Sequence, residues 1–110
     1  MPKTVDSSGV VTNAVAALPN SANFSGFKCY WVEVQNPMKN ADNTDNGEHI
    51  QVGTNASTLG RVLAPGDVQR FDSVNPSAIY VKALNPLTAG QGALSLSTMV
   101  TWTASVNENS

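Results

Sequence analysis

The chain carries a single histidine, His49, and a single cysteine, Cys29, so few of its groups can act as base, metal ligand or nucleophile. Nucleophilic catalysis sets a base against the nucleophile, and with one histidine no triad can be composed from the many serines. His49 lies between Glu48 and Ile50 in a stretch where Ile50 and Val52 alternate inward, which turns the imidazole to solvent. A cupin-like metal centre would need two or three histidines beside a carboxylate on neighbouring strands, and one histidine excludes it. Cys29 stands beside Tyr30 and Trp31 in an apolar stretch, where a thiol is a small hydrophobe with a raised pKa rather than a nucleophile. One thiol cannot close an intrachain disulfide either, so the fold must stand on its core.

Glycosidase chemistry would require two carboxyl groups about 5 to 9 Å apart in a cleft. The eight acids are Asp6, Glu33, Asp42, Asp45, Glu48, Asp67, Asp72 and Glu108, and most fall in turn-like or terminal stretches where a carboxylate caps backbone. The oxygen-rich segment Asp42-Asn43-Thr44-Asp45-Asn46-Gly47-Glu48 resembles a calcium loop, but aligning Gly47 with the loop's glycine puts Gly53 where the bidentate glutamate belongs. The segment reads first as an exposed hairpin tip, with a looser ion site left open. Asn23-Phe24-Ser25 and Asn55-Ala56-Ser57 match the glycosylation acceptor pattern, and without a leader segment they are read as chance. Trp31 and Trp102 both fall inside strands, so they are expected to anchor the core rather than to stack on a sugar or a base. No catalytic residue, cofactor site or metal site is assigned.

The elements that must position these residues follow from a hydrophobic period of two. In 93–104, Leu94, Leu96, Val100, Trp102 and Ala104 share one face while Ser95, Ser97, Thr101 and Thr103 share the other. The segments 77–84 and 47–53 alternate in the same way. The segment 27–35 differs, because Phe27, Cys29 and Trp31 populate one face and Tyr30, Val32 and Val34 the other. Apolar groups on both faces suggest a central strand or one whose outer face meets another subunit. Turns are expected at Asn36-Pro37, Asp45-Asn46-Gly47, Pro65-Gly66-Asp67, Asn75-Pro76 and Asn85-Pro86. Adding 10–18, 58–63 and 68–71 gives about seven or eight short antiparallel strands, the pattern of a sandwich or barrel. In 10–18 a helical turn at Ala14, Ala16, Ala17 and Leu18 competes with a strand favoured by Val10, Val11, Thr12 and Val15. The expectation is one all-β domain over 1–110, an antiparallel sandwich or barrel, with residues 1–9 and 105–110 as polar tails that are mobile or docked on a neighbour.

Composition narrows the partners. Only 13% of the 110 residues are charged and the net charge is −2, against about a quarter charged in an average soluble chain. Lys3, Lys28, Lys39, Arg61, Arg70 and Lys82 are scattered, so no basic patch exists to neutralise a row of phosphates, and nucleic acid is not expected as a partner. No apolar run approaches the roughly 18 residues of a membrane span. Low charge and the two-sided apolar segment fit a surface buried against copies of the chain or a larger assembly. The interface expected on that ground includes Phe27, Cys29, Tyr30, Trp31 and Val32.

The order of segments carries a resemblance. An alternating Val-Ala stretch ends in Leu18-Pro19. It is followed by Val32-Glu33-Val34-Gln35-Asn36-Pro37, Ile50-Gln51-Val52-Gly53, Gly60-Arg61-Val62-Leu63-Ala64-Pro65-Gly66 and Ile79-Tyr80-Val81-Lys82-Ala83. Over residues 10–104 this resembles the small β-sandwich structural proteins of tailed bacteriophage particles, which implies a jelly-roll-like sandwich or barrel. The resemblance implies a virion protein on the capsid surface, of the capsid decoration (cement) type, without catalytic residues. Its expected partners are its own copies, as a homotrimer, and the major capsid protein. The rival expectation is a carbohydrate- or receptor-binding module of a head or tail fibre, with Tyr80, Phe24 and Tyr30 as candidate contacts.

Overall fold

The computed structural model describes residues 3–12, 14–39, 49–84 and 99–107. Within them the chain forms β1 (Lys3–Val10), β2 (Ala16–Ala17), β3 (Lys28–Gln35), β4 (Ile50–Gly53), β5 (Arg61–Leu63), β6 (Val68–Asp72), β7 (Tyr80–Ala83) and β8 (Met99–Asn107). Two single 3-10 turns, Ser21–Phe24 and Pro76–Ala78, interrupt the connections. The strands build two four-stranded antiparallel sheets, ordered β1-β8-β3-β6 and β2-β7-β4-β5. The pairs β1·β8, β2·β7, β3·β6 and β4·β5 are the rungs of one long antiparallel ribbon, and the pairs β3·β8 and β4·β7 close it as it wraps on itself. That is a jelly roll, one of the two-sheet architectures that the strand pattern leaves open.

The core between the sheets is made by alternation. Val100, Trp102, Ala104 and Val106 of β8 are at most 1% exposed, as are Val32 and Val34 of β3 and Ile50 and Val52 of β4. Trp102 spans the layers as expected. Its indole N–H donates to the carbonyl of Pro19 at 2.8 Å, and the Phe24 ring meets it edge-on with centroids 5.7 Å apart, so the one polar atom of the side chain is satisfied inside the core. The expected strand segment 93–98 and the expected turns at 45–47 and 85–86 lie outside the described residues.

Three expectations are corrected. Residues 3–9 are not a tail. They belong to β1, which pairs with β8 along its whole length, from Lys3 opposite Val106 to Val10 opposite Met99. The segment looks polar because its inward positions are met individually. Val5 packs on the core, the Ser7 hydroxyl accepts from Asn20 Nδ2 at 2.7 Å, and Gly9 lies so close beneath Pro19 that a Cβ there would come within 2.6 Å of the proline ring. At the other end, β8 continues to Asn107 with Val106 fully buried, so 105–107 is strand as well.

The single strand expected over 10–18 is instead a corner. Val10 ends β1, Val11 and Leu18 are buried, and only Ala16–Ala17 pairs, with β7. The corner is tied down by backbone bonds from Ala83 N–H to the Thr12 carbonyl at 2.7 Å and from Leu18 N–H to the Ile79 carbonyl at 3.1 Å. Likewise 77–84 begins as the 3-10 turn Pro76–Ala78 and becomes strand only at Tyr80.

The third correction explains the two-sided apolar pattern of β3. Cys29 pairs with Val106 and Trp31 with the very next partner, Ser105, so Tyr30 is an extra residue. This β-bulge reverses the parity of the strand. Cys29, Val32 and Val34 point inward, while Tyr30, Trp31, Glu33 and Gln35 point outward.

Candidate functional site

The groups able to do chemistry are dispersed. Among the described residues no three His, Cys, Asp or Glu side chains gather where they could hold a metal ion. The candidate calcium segment 42–48 lies outside the described residues, as does Glu108. His49 is only partly open to solvent. It is half-buried, its Nδ1 is shielded without a hydrogen-bond partner among the described residues, and its carbonyl accepts from Leu84 N–H at 3.0 Å, which draws it into the β4·β7 ladder. The alternation of Ile50 and Val52 holds.

Cys29 is half-buried on the inward side of β3. Burial pushes its thiol up, opposed in part by its contact with the Trp31 carbonyl at 3.5 Å. The carboxylates do ordinary structural work. Asp67 Oδ2 accepts from Ala64 N–H at 3.0 Å across the turn before β6, and Asp72 accepts from Arg70 Nε at 3.0 Å. The conspicuous asparagines are clasps. Asn36, fully buried, donates to the Leu63 carbonyl at 2.9 Å, while its own carbonyl accepts from Gly66 N–H at 2.6 Å. Gly66 occupies the left-handed region at φ +93°, which is why glycine follows Pro65. Asn75 donates to the carbonyls of Phe24 at 2.6 Å and Phe27 at 2.8 Å and accepts from Ser77. The asparagines of both acceptor patterns, Asn23 and Asn55, are exposed, and Asn55 Oδ1 accepts from Ser57 N–H at 2.9 Å.

The expected interface set divides at the bulge. Val32 is fully buried, and Phe27 and Cys29 pack against the core, so these three serve the interior of the fold. Tyr30 and Trp31 lie on the outer face of the β1-β8-β3-β6 sheet, with Tyr30 37% exposed. Trp31 is therefore not a core anchor. The Arg70 guanidinium lies 4.9 Å from its ring centroid and also meets Asp72 and, at 3.9 Å, Glu33. Lys28 sits 5.5 Å from the Tyr30 ring centroid. Thr4 and Ser8 on β1 pair with Ser105 and Thr101 on β8, and between them Asp6 pairs with Thr103, so hydroxyls and one exposed carboxylate make up this part of the face. Val68, at the start of β6, adds an apolar group that is 48% exposed. The face thus combines two aromatics, each beneath a cation, with a row of hydroxyls.

Of the candidate sugar contacts, Phe24 is taken up by Trp102 and by Phe27, whose ring centroid lies 5.5 Å away. Tyr80 is half-buried in β7, on the other sheet from Tyr30. A groove that no sequence pattern announced opens between the edge strands β5 and β6, with a volume of about 420 Å³ and Arg61, Gln69 and Phe71 on its walls. Its signal in the sequence is the arginine of Gly60-Arg61-Val62-Leu63, two residues before a buried leucine. That signal becomes readable only once β5 is known to be an edge.

No protein-family model matches the chain, and no match was found among curated proteins.

Proposed function

We propose that the chain is a structural protein of a bacteriophage virion, a capsid decoration (cement) protein. It associates with its own copies as a homotrimer and binds the major capsid protein on the outer surface of the capsid. The observation that carries this reading is the bulge at Tyr30, which places Tyr30 and Trp31 together on the outer face of a rigid sheet instead of in the core. Tyr30 is exposed and Trp31 half-buried beneath Arg70, and Tyr, Trp and Arg are the residue types that anchor protein interfaces. The β1·β8 part of the face is mostly hydroxyls, and the charges beside the aromatics, Arg70 with Glu33 and Asp72, are paired with one another. A jelly roll hosts many functions, so the virion assignment draws on the resemblance of residues 10–104. The role requires no reaction. Many copies, each with a modest contact, would reinforce a shell through effective concentration.

The test is co-sedimentation of the purified chain with phage capsids lacking their accessory proteins. The full chain should pellet with capsids to a saturating ratio and raise their resistance to heat. The double variant Tyr30→Ser, Trp31→Ser, which loses the contact between copies, should bind about 30-fold more weakly, because single copies lose the effective concentration of the trimer. A chain that stays in the supernatant at every ratio would overturn the assignment.

A further inference from the structure

The groove between β5 and β6 breaks the alternation that builds the rest of the sandwich. Arg61 stands opposite Val52, and Gln69 opposite Val34, both partners being fully buried. Arg61 and Gln69 therefore occupy core-facing register positions on the two edge strands of the same open side, where apolar residues belong. Phe71, opposite the buried Val32, supplies the apolar wall beside them. Such departures from pattern mark functional sites when several converge.

The rim is built rather than loose. A Cβ on Gly53 would lie 3.2 Å from both Gly60 N and Leu59 Cα, so the bare backbone there lets the 54–60 connection fold back against β4. Gln51 Nε2 donates to the Leu59 carbonyl at 2.6 Å and pins it. Thr54, Asn55 and Thr58 are thereby presented to the groove. Asn55 uses its Oδ1 on Ser57 N–H, which leaves its amide N–H groups for a ligand; Gln69 uses its N–H on the Arg70 carbonyl, which leaves its carbonyl oxygen. Arg61 is the sole charged side chain on the groove's wall, and no carboxylate pairs with it among the described residues.

We propose that this groove binds a carboxylate-bearing sugar unit of the uronate or sialate class. The guanidinium matches the planar carboxylate with two parallel N–H donors, hydroxyl and amide side chains match the sugar hydroxyls, and Phe71 faces the apolar C–H side of the ring. The volume lies within the range of small-ligand sites. An inward arginine on an edge strand also discourages edge-to-edge pairing, but that duty needs neither Gln69 nor the pinned rim. The inference is independent of the capsid assignment, because it is read on the isolated chain.

The experiment is a backbone-amide NMR titration with D-glucuronate, N-acetylneuraminate, D-glucose and acetate. At least one of the two acidic sugars should shift the amides of Thr54, Asn55, Thr58, Gly60 and Gln69, with half-saturation at about 1 to 10 mM. Glucose and acetate should each bind about tenfold more weakly, since each offers half of the match. Arg61→Gln should lose about tenfold in acidic-sugar affinity with an unchanged melting temperature. Shifts by neither acidic sugar, shifts confined to other residues, or binding by glucose or acetate as tight as that of the acidic sugar would overturn the proposal. The comparison of ligands on the unaltered chain decides even if Arg61→Gln is unstable.

Discussion

Cys29 shows how a residue's environment decides its chemistry. Its thiol lies on the inward side of β3, half-buried, and burial raises its pKa. At pH 8 it should therefore react with iodoacetamide more slowly than a free thiol, and alkylation should accelerate only as pH climbs beyond the ordinary thiol range. The sign for stability is the same. The unfolded chain loses this proton first as pH rises, so the folded state is favoured below the unfolded pKa and loses that contribution above it. Reaction at pH 8 as fast as that of glutathione would show the thiol to be open. The inert character of Cys29 was legible in its apolar neighbours. The half-burial of His49 was not, because alternation reports which side of a strand a residue lies on and not how far that side is covered. Nor could the contrast between the two tryptophans be read, since Trp102 and Trp31 sit in equally apolar stretches and only the register separates them.

At the scale of elements, the decisive feature is the extra residue in β3. Removing Tyr30 would leave Cys29, Trp31 and Val32 opposite Val106, Ser105 and Ala104 in an unbroken ladder, with every other side chain on its present face. Deletion of Tyr30 should thus keep the fold and change stability by no more than about 1 kcal/mol. Deletion of Glu33 slips the strand by one residue and turns the upstream side chains over, placing Trp31 in the core and Cys29 outside. That variant should lose cooperative unfolding. Thermal melts of the two deletions check this, and equal damage from both would contradict the bulge. The strands with plain alternation, β4 and β8, were readable from their residues. β1 was not, because it satisfies its inward positions with a serine bonded to Asn20 and a glycine beneath Pro19 in place of large apolar groups. A corner such as the one Val11 and Thr12 begin leaves no periodic trace at all.

At the scale of the molecule, the jelly-roll order emerges from local rules: short antiparallel strands, turn residues between them, and one apolar side each. The all-β class was therefore legible, while strand order, which depends on how the ribbon wraps, was not. The same limit hid the groove between β5 and β6, since Arg61 and Gln69 come together only when both strands are edges of facing sheets. The outer face bearing Tyr30 and Trp31 is the surface on which the account of function turns. Sedimentation equilibrium of the full chain at micromolar concentration tests it most directly. The account predicts a species of about three times the 11.5 kDa chain mass that shifts toward monomer in the Tyr30→Ser, Trp31→Ser variant. A single monomeric species, unchanged by that double substitution, would contradict it.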